Sequence, residues 1–118
     1  MNTGKQIAVE AIRQHLIQRS ASLFADNETD PLGLALRGFF PELKHAFVVN
    51  SIPEQAEDIY WVIVSPTEVA EIEIPRGEYA ENNPPLLKIM ALDVYEKRRH
   101  SRDVRQRLEI GLELINRG

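Results

Sequence analysis

The sequence predicts an α+β fold: a three- to four-stranded antiparallel sheet packed on one face by N-terminal and C-terminal helices. Two observations carry this. Residues 58–75, DIYWVIVSPTEVAEIEIP, read as a hairpin, and apolar stripes at helical spacing stand near both ends of the chain. In the hairpin, residues 59–64 are a β-branched and aromatic run of the kind found in a nearly fully buried strand. Ser65, Pro66, Thr67 and Glu68 have turn chemistry, since proline pre-sets φ and cannot donate to a sheet ladder. Residues 69–74 then alternate, with Ala70, Ile72 and Ile74 set against Val69, Glu71 and Glu73. Strand and helix faces of this kind are stable only when they share a core.

Taken in order, the chain opens with Thr3 as a candidate N-cap and Gln6 placed to complete a capping box. Val9, Ile12, Leu16 and Leu23 recur at helical spacing, flanked by Ile17 and Phe24, while Arg13, Gln14, Gln18 and Arg19 fall largely on the other side. A helix of roughly five turns is expected, ending near Asp26 and Asn27, with His15 at the edge of its buried stripe. Asp30 and Pro31 repeat the start signal, an N-cap followed by proline at the first helical position. The short apolar helix that follows must stop before Pro41. Gly33 and Gly38 within it lack the Lys-Ser/Thr continuation of a phosphate loop.

Residues 43–50 are expected to form the first strand, with His45, Phe47 and Val49 on one face and Ala46 and Val48 on the other. Residues 50–55 then serve as a polar connection into the hairpin. Residues 75–85, with three prolines, Gly77 and Asn82-Asn83, read as a loop. Residues 86–92, LLKIMAL, fit either a fourth strand or a helix start. Asp93 is a plausible cap for a short helical segment, and Ser101 for a second one in which Val104, Leu108, Leu112 and Ile115 form a stripe. That helix is expected to run over residues 103–116.

With 118 residues the chain is expected to be one domain, long enough to bury a core without staples. It has no cysteine, which excludes disulfides, thiolate metal sites and a cysteine nucleophile. The N-terminal segment MNTGKQIAVE lacks the basic and apolar regions of a signal peptide, and no apolar run reaches the ~20 residues of a membrane span. A soluble cytoplasmic protein is therefore expected. The formal charge of −4 is unevenly distributed. Glu54, Glu57, Asp58, Glu68, Glu71, Glu73, Glu78 and Glu81 stand with a single basic residue, Arg76, whereas residues 97–107 carry six basic side chains and only Asp103.

Catalytic and metal chemistry find little to work with. His15, His45 and His100 lie on separate predicted elements with no HxxxH pair, and Glu71 and Glu73 on one strand face are the wet side of a sheet. His45 near Glu54 or Glu71 is the one acid–base pair that can be assembled. Arg98, Arg99, Arg102, Arg105 and Arg107 form a basic cluster able to meet phosphates, but the exposed aromatics that stack on bases are scarce. No cofactor is expected, no metal, and no nucleic acid. The acidic region is the better candidate: Glu54, Glu57, Asp58, Glu71, Glu73, Glu78 and Glu81 would give steered association with a basic protein surface. Tyr79 would supply the apolar anchor.

The layout of a first helix, a meander containing EDIYWVIV and EIEIPR, a loop and DVYEKRRHSRDVRQRLEIGLELI resembles the small immunity proteins of bacterial polymorphic toxin systems, including contact-dependent growth inhibition. The likeness spans residues 43–116 as layout and texture, so no residue role is carried over by position. It implies a non-enzymatic cytoplasmic toxin inhibitor that binds one cognate toxin domain and blocks its active site or substrate path. Many such toxins are nucleases, whose basic clefts suit the acidic region. The alternatives are a small nucleic-acid-binding regulator using Arg98, Arg102 and Arg105, and a small enzyme built on His45 and a carboxylate. Oligomeric state is not set by any of these features.

Overall fold

The structure, a computed structural model, describes residues 3–26 and 29–117. Helix α1 (Thr3–Leu23) and helix α2 (Pro31–Phe39) precede strands β1 (Phe47–Pro53), β2 (Glu57–Ser65), β3 (Glu68–Pro75) and β4 (Leu86–Ala91). Helices α3 (Leu92–Glu96) and α4 (Arg102–Arg117) close the chain. The four strands form one antiparallel meander in the order β1-β2-β3-β4, with helices packed against it. This is the α+β architecture that the hairpin and the helical stripes predict.

The start signals act as their chemistry requires. The Asp30 carboxylate accepts the Leu32 amide at 2.8 Å and caps α2, with Pro31 in its first turn. The Ser101 hydroxyl accepts the Val104 amide at 3.2 Å at the start of α4. The cap proposed for Thr3 and Gln6 involves side chains outside those described, as does Asn27; α1 itself ends at Leu23. Residues 86–92 resolve into strand β4 followed directly by α3, which starts at Leu92 without a side-chain cap from Asp93. Within the loop of residues 75–85, Gly77–Glu81 winds into a 3-10 turn, entered through Gly77 at a φ of 58°.

The first strand also differs from the sequence reading. Residues 43–46 lie outside the sheet, and the strand begins at Phe47 and continues through Asn50, Ser51, Ile52 and Pro53, which the sequence marks as connection. Pairing with β2 explains the shift. Ser51 lies opposite Tyr60, Ile52 opposite Ile59 and Pro53 opposite Asp58, after a bulge between Val48 and Asn50. Proline is tolerated there because it ends an edge strand.

Helices close both sheet faces. On one, Val62, Val64, Ala70, Ile72 and Ile74 pack with Leu23 of α1 and with Leu32, Ala35 and Leu36 of α2. On the other, Val49, Trp61, Ile63 and Val69 pack with Leu92 and Tyr95 of α3 and Val104 and Leu108 of α4. Helices α1 and α4 meet beside β1 through Leu16, Phe47 and Ile110. The second cover is why Val69, grouped with the wet residues by alternation alone, is fully buried. Arg13 and Arg19 also turn inward: Arg13 reaches both carboxylate oxygens of Glu113 on α4 at 3.1 Å, and Arg19 pairs with Asp30 at 3.1 Å. His15 is exposed. Among the described residues, no helix is long and apolar enough to cross a membrane.

Candidate protein-binding surface

The turn between β1 and β2 and the segment after β3 meet at one end of the sheet. The Glu54 amide donates to the Glu57 carbonyl at 2.7 Å, and the Arg76 amide donates to the Ala56 carbonyl at 2.8 Å. The Arg76 guanidinium then ties the turn together by donating to the carbonyls of Glu54 and Gln55, and it stands 3.4 Å from the Asp58 carboxylate. Glu57 lies opposite Pro75 in the ladder, and the 3-10 turn carrying Glu78, Tyr79 and Glu81 follows. Asn83 donates to the Tyr79 carbonyl at 2.9 Å and folds the loop back on this turn. Glu57, Glu73, Tyr79 and Leu86 border a small cleft of about 100 Å³. Asp58 is the carboxylate in contact with this guanidinium, while Glu54, Glu57, Glu73, Glu78 and Glu81 lie in the turn, strand ends and loop at the same end of the sheet.

Glu71 stands apart from this group. Its Oε1 accepts the Trp61 indole N–H at 2.9 Å and lies 3.9 Å from the Arg98 guanidinium, with Lys88 opposite on β4. Arg98 also lies over the Tyr95 ring, at 5.9 Å from its centroid, and Tyr95 stacks on Trp61. These contacts put the Glu71 charge to use inside the fold.

Next to this cluster, farther toward the acidic end, the register aligns Ile52, Ile59, Glu73 and Leu86 across all four strands. They occupy the same sheet face as Trp61, two positions along β2 from Ile59. Helices α3 and α4 leave the two ends of this row open, with Ile52 42% and Leu86 59% exposed and Tyr79 beside Leu86 51% exposed, while Ile59 is half-buried against the core. The result is a mixed row in which Ile52 and Ile59 are separated from Leu86 by Glu73, the mixture of apolar and polar groups that protein interfaces share. Of the residues singled out from sequence, Glu57, Glu73 and Tyr79 border this row at Leu86. Glu54, Glu78 and Glu81 lie in the adjoining turn and loop, and Asp58 alternates to the opposite face beside Tyr60. Ile52, Ile59 and Leu86 were missed, because the bulge in β1 shifts the side-chain phase and hides Ile52 from a simple alternation count.

The rival sites are less well built. Arg98 and Arg99 lie in the turn before α4 rather than on it, and Arg107 is paired with Asp103 at 3.0 Å. His45 is exposed, ahead of β1. A groove of about 480 Å³ between α2 and Pro84-Pro85 is lined by Leu34, Ala35, Gly38, Phe39 and prolines, with no titratable group. The described residues bring no three His, Asp or Glu side chains into a ligand set. No protein-family model, curated protein or solved structure matches this chain.

Proposed function

We propose that this chain is a non-enzymatic protein-binding module of the cytoplasm, an immunity protein that neutralises a cognate toxin domain. The observation that carries the reading is the exposure of Ile52 and Leu86 in one cross-strand row that includes Glu73 and borders the acidic end. A surface of this kind fits a protein whose own site is built to hold phosphate. The carboxylates stand where phosphates would lie and speed the encounter, while Ile52, Leu86 and Tyr79 slow dissociation. A nuclease domain has that basic cleft, and the resemblance in layout to immunity proteins points to the same class. The ties of Arg98 to Glu71 and of Arg107 to Asp103 favour this reading over nucleic-acid binding.

The test begins with recovery of the partner on tagged full-length protein from lysate of its own source. Binding kinetics of the recovered domain are then measured against the Glu57→Lys/Glu78→Lys double variant. The association rate is expected to fall by about tenfold or more and to lose most of its salt dependence. Unchanged association kinetics would remove the acidic end from the mechanism. Recovery of RNA or DNA in place of a protein would overturn the reading as a whole.

A further inference from the structure

We propose that the outer edge of β4 pairs antiparallel with β4 of a second copy of this chain, continuing the sheet across a two-fold axis. This goes beyond the toxin-binding reading and uses a different part of the sheet. Strand β4 is outermost in the order β1-β2-β3-β4, and its sequence LLKIMA carries a single charge, Lys88. Ile89 is 46% exposed. An apolar edge with unpaired N–H and C=O groups is a template for another strand.

One hydrogen bond sets which backbone groups face outward. The Leu92 amide donates to the Thr67 carbonyl at 2.8 Å, and the register then runs without a shift from Glu68 opposite Ala91 to Glu73 opposite Leu86. Hydrogen-bonded pairs alternate along an antiparallel ladder. Leu86, Lys88 and Met90 therefore turn their backbone groups to β3. Leu87, Ile89 and Ala91 turn theirs to the open edge.

The choice of register follows from sterics and charge. A two-fold axis normal to the sheet keeps each face on its own side, so only same-face residues meet. Centring on Lys88 sets two lysines directly opposite each other, which is destabilising. Centring on Leu87 sets Ile89 against Pro85, which has no N–H to give. Centring on Ile89 sets Ile89 against its own copy, Leu87 against Ala91 and Lys88 against Met90. Every outward backbone group in Leu87, Ile89 and Ala91 then has a partner. The antiparallel arrangement also sends the two acidic ends, each at the Leu86 end of its strand, to opposite poles. Centring on Met90 leaves Leu87 against Asp93 of α3, so only the Ile89-centred register pairs all three outward residues within β4, and this self-complementarity is why the occupant is a second copy.

Sedimentation velocity on the full chain is expected to give twice its 13.5 kDa mass. Ile89→Lys, which sets like charges face to face, is expected to halve that mass, and Lys88→Glu, which faces Met90, to leave it. The absence of cysteine makes a second readout clean. Ile89→Cys is expected to oxidise to a disulfide-linked pair, its Cα separation falling within the range of a disulfide, and Lys88→Cys is not. Thermal unfolding of each variant confirms that it is folded. A single-chain mass for the unaltered protein, or a dimer that a folded Ile89→Lys leaves intact, would overturn the proposal. Cross-linking through Lys88→Cys but not Ile89→Cys would do so as well.

Discussion

Glu71 accepts the Trp61 indole N–H and faces Arg98, so its removal tests folding rather than recognition. Glu71→Ala leaves a buried indole N–H unpaired and is expected to cost about 1–3 kcal/mol in urea unfolding. Glu71→Gln keeps an acceptor and is expected to cost less. Glu78→Ala, on the exposed 3-10 turn, is expected to stay within about 0.5 kcal/mol. Tyr95 provides a test by pH. Burial pushes its hydroxyl above the ordinary 10.0, opposed by the hydrogen bond from Asn50, and burial raises Tyr60 likewise. A raised pKa means that the unfolded chain releases the proton first. The contribution of these groups is therefore full below about pH 10 and is lost as pH climbs through the folded values. Urea midpoints are expected to fall above about pH 10, and Tyr95→Phe to remove the Tyr95 share of that fall.

At the scale of elements, two helical glycines make opposite predictions. A Cβ at Gly38, near the end of α2, meets nothing within 4 Å, so Gly38→Ala is expected to stabilise by about 0.5–1 kcal/mol. At Gly111 the same atom would stand 3.0 Å from Ile63 Cδ1 and 3.4 Å from Val49 Cγ1, because α4 lies directly on the sheet there. Gly111→Val adds further atoms against a fully buried isoleucine and is expected to destabilise by about 2 kcal/mol or more. Chemical denaturation of the two variants checks both signs. The cap of α2 is a third case: Asp30→Ala is expected to cost about 1 kcal/mol, with Asp30→Asn retaining most of the stability.

Over the whole molecule, separation of charge matters more than its sum. The longest dimension is 53 Å, several times the ~8 Å screening length of physiological salt. A partner approaching the acidic end therefore responds to the carboxylates there rather than to the net −4. The two ends of the row beside that end are exposed in the folded chain, so Ile52→Asp and Leu86→Asp are expected to change stability by only about 0.5 kcal/mol. The same substitutions are expected to weaken partner binding by at least about tenfold, chiefly through faster dissociation. Calorimetry of the free protein and surface binding to the captured domain separate the two effects. Loss of stability equal to the loss of binding would assign the row to the core instead.

Local patterns in the chain determined much of this protein. Turn chemistry at Pro66, alternation in β3, the Asp30-Pro31 start and the Ser101 cap are nearest-neighbour effects, and each appears where the residues demand it. The clustering of carboxylates was legible in the same way, because the acidic residues fall in a turn and a loop that a meander brings to one end. Tertiary structure alone decided the rest. Residues 86–91 became a strand because β3 offered an edge to pair with, and Asn50 to Pro53 became part of β1 because β2 continued opposite them. Glu71 left the acidic surface because Trp61, ten residues away in sequence, points its indole at it across the ladder. The row of Ile52, Ile59, Glu73 and Leu86 exists only where register aligns four strands, and its ends are open where α3 and α4 stop short. Such pairings depend on contacts between distant segments, which no local periodicity encodes.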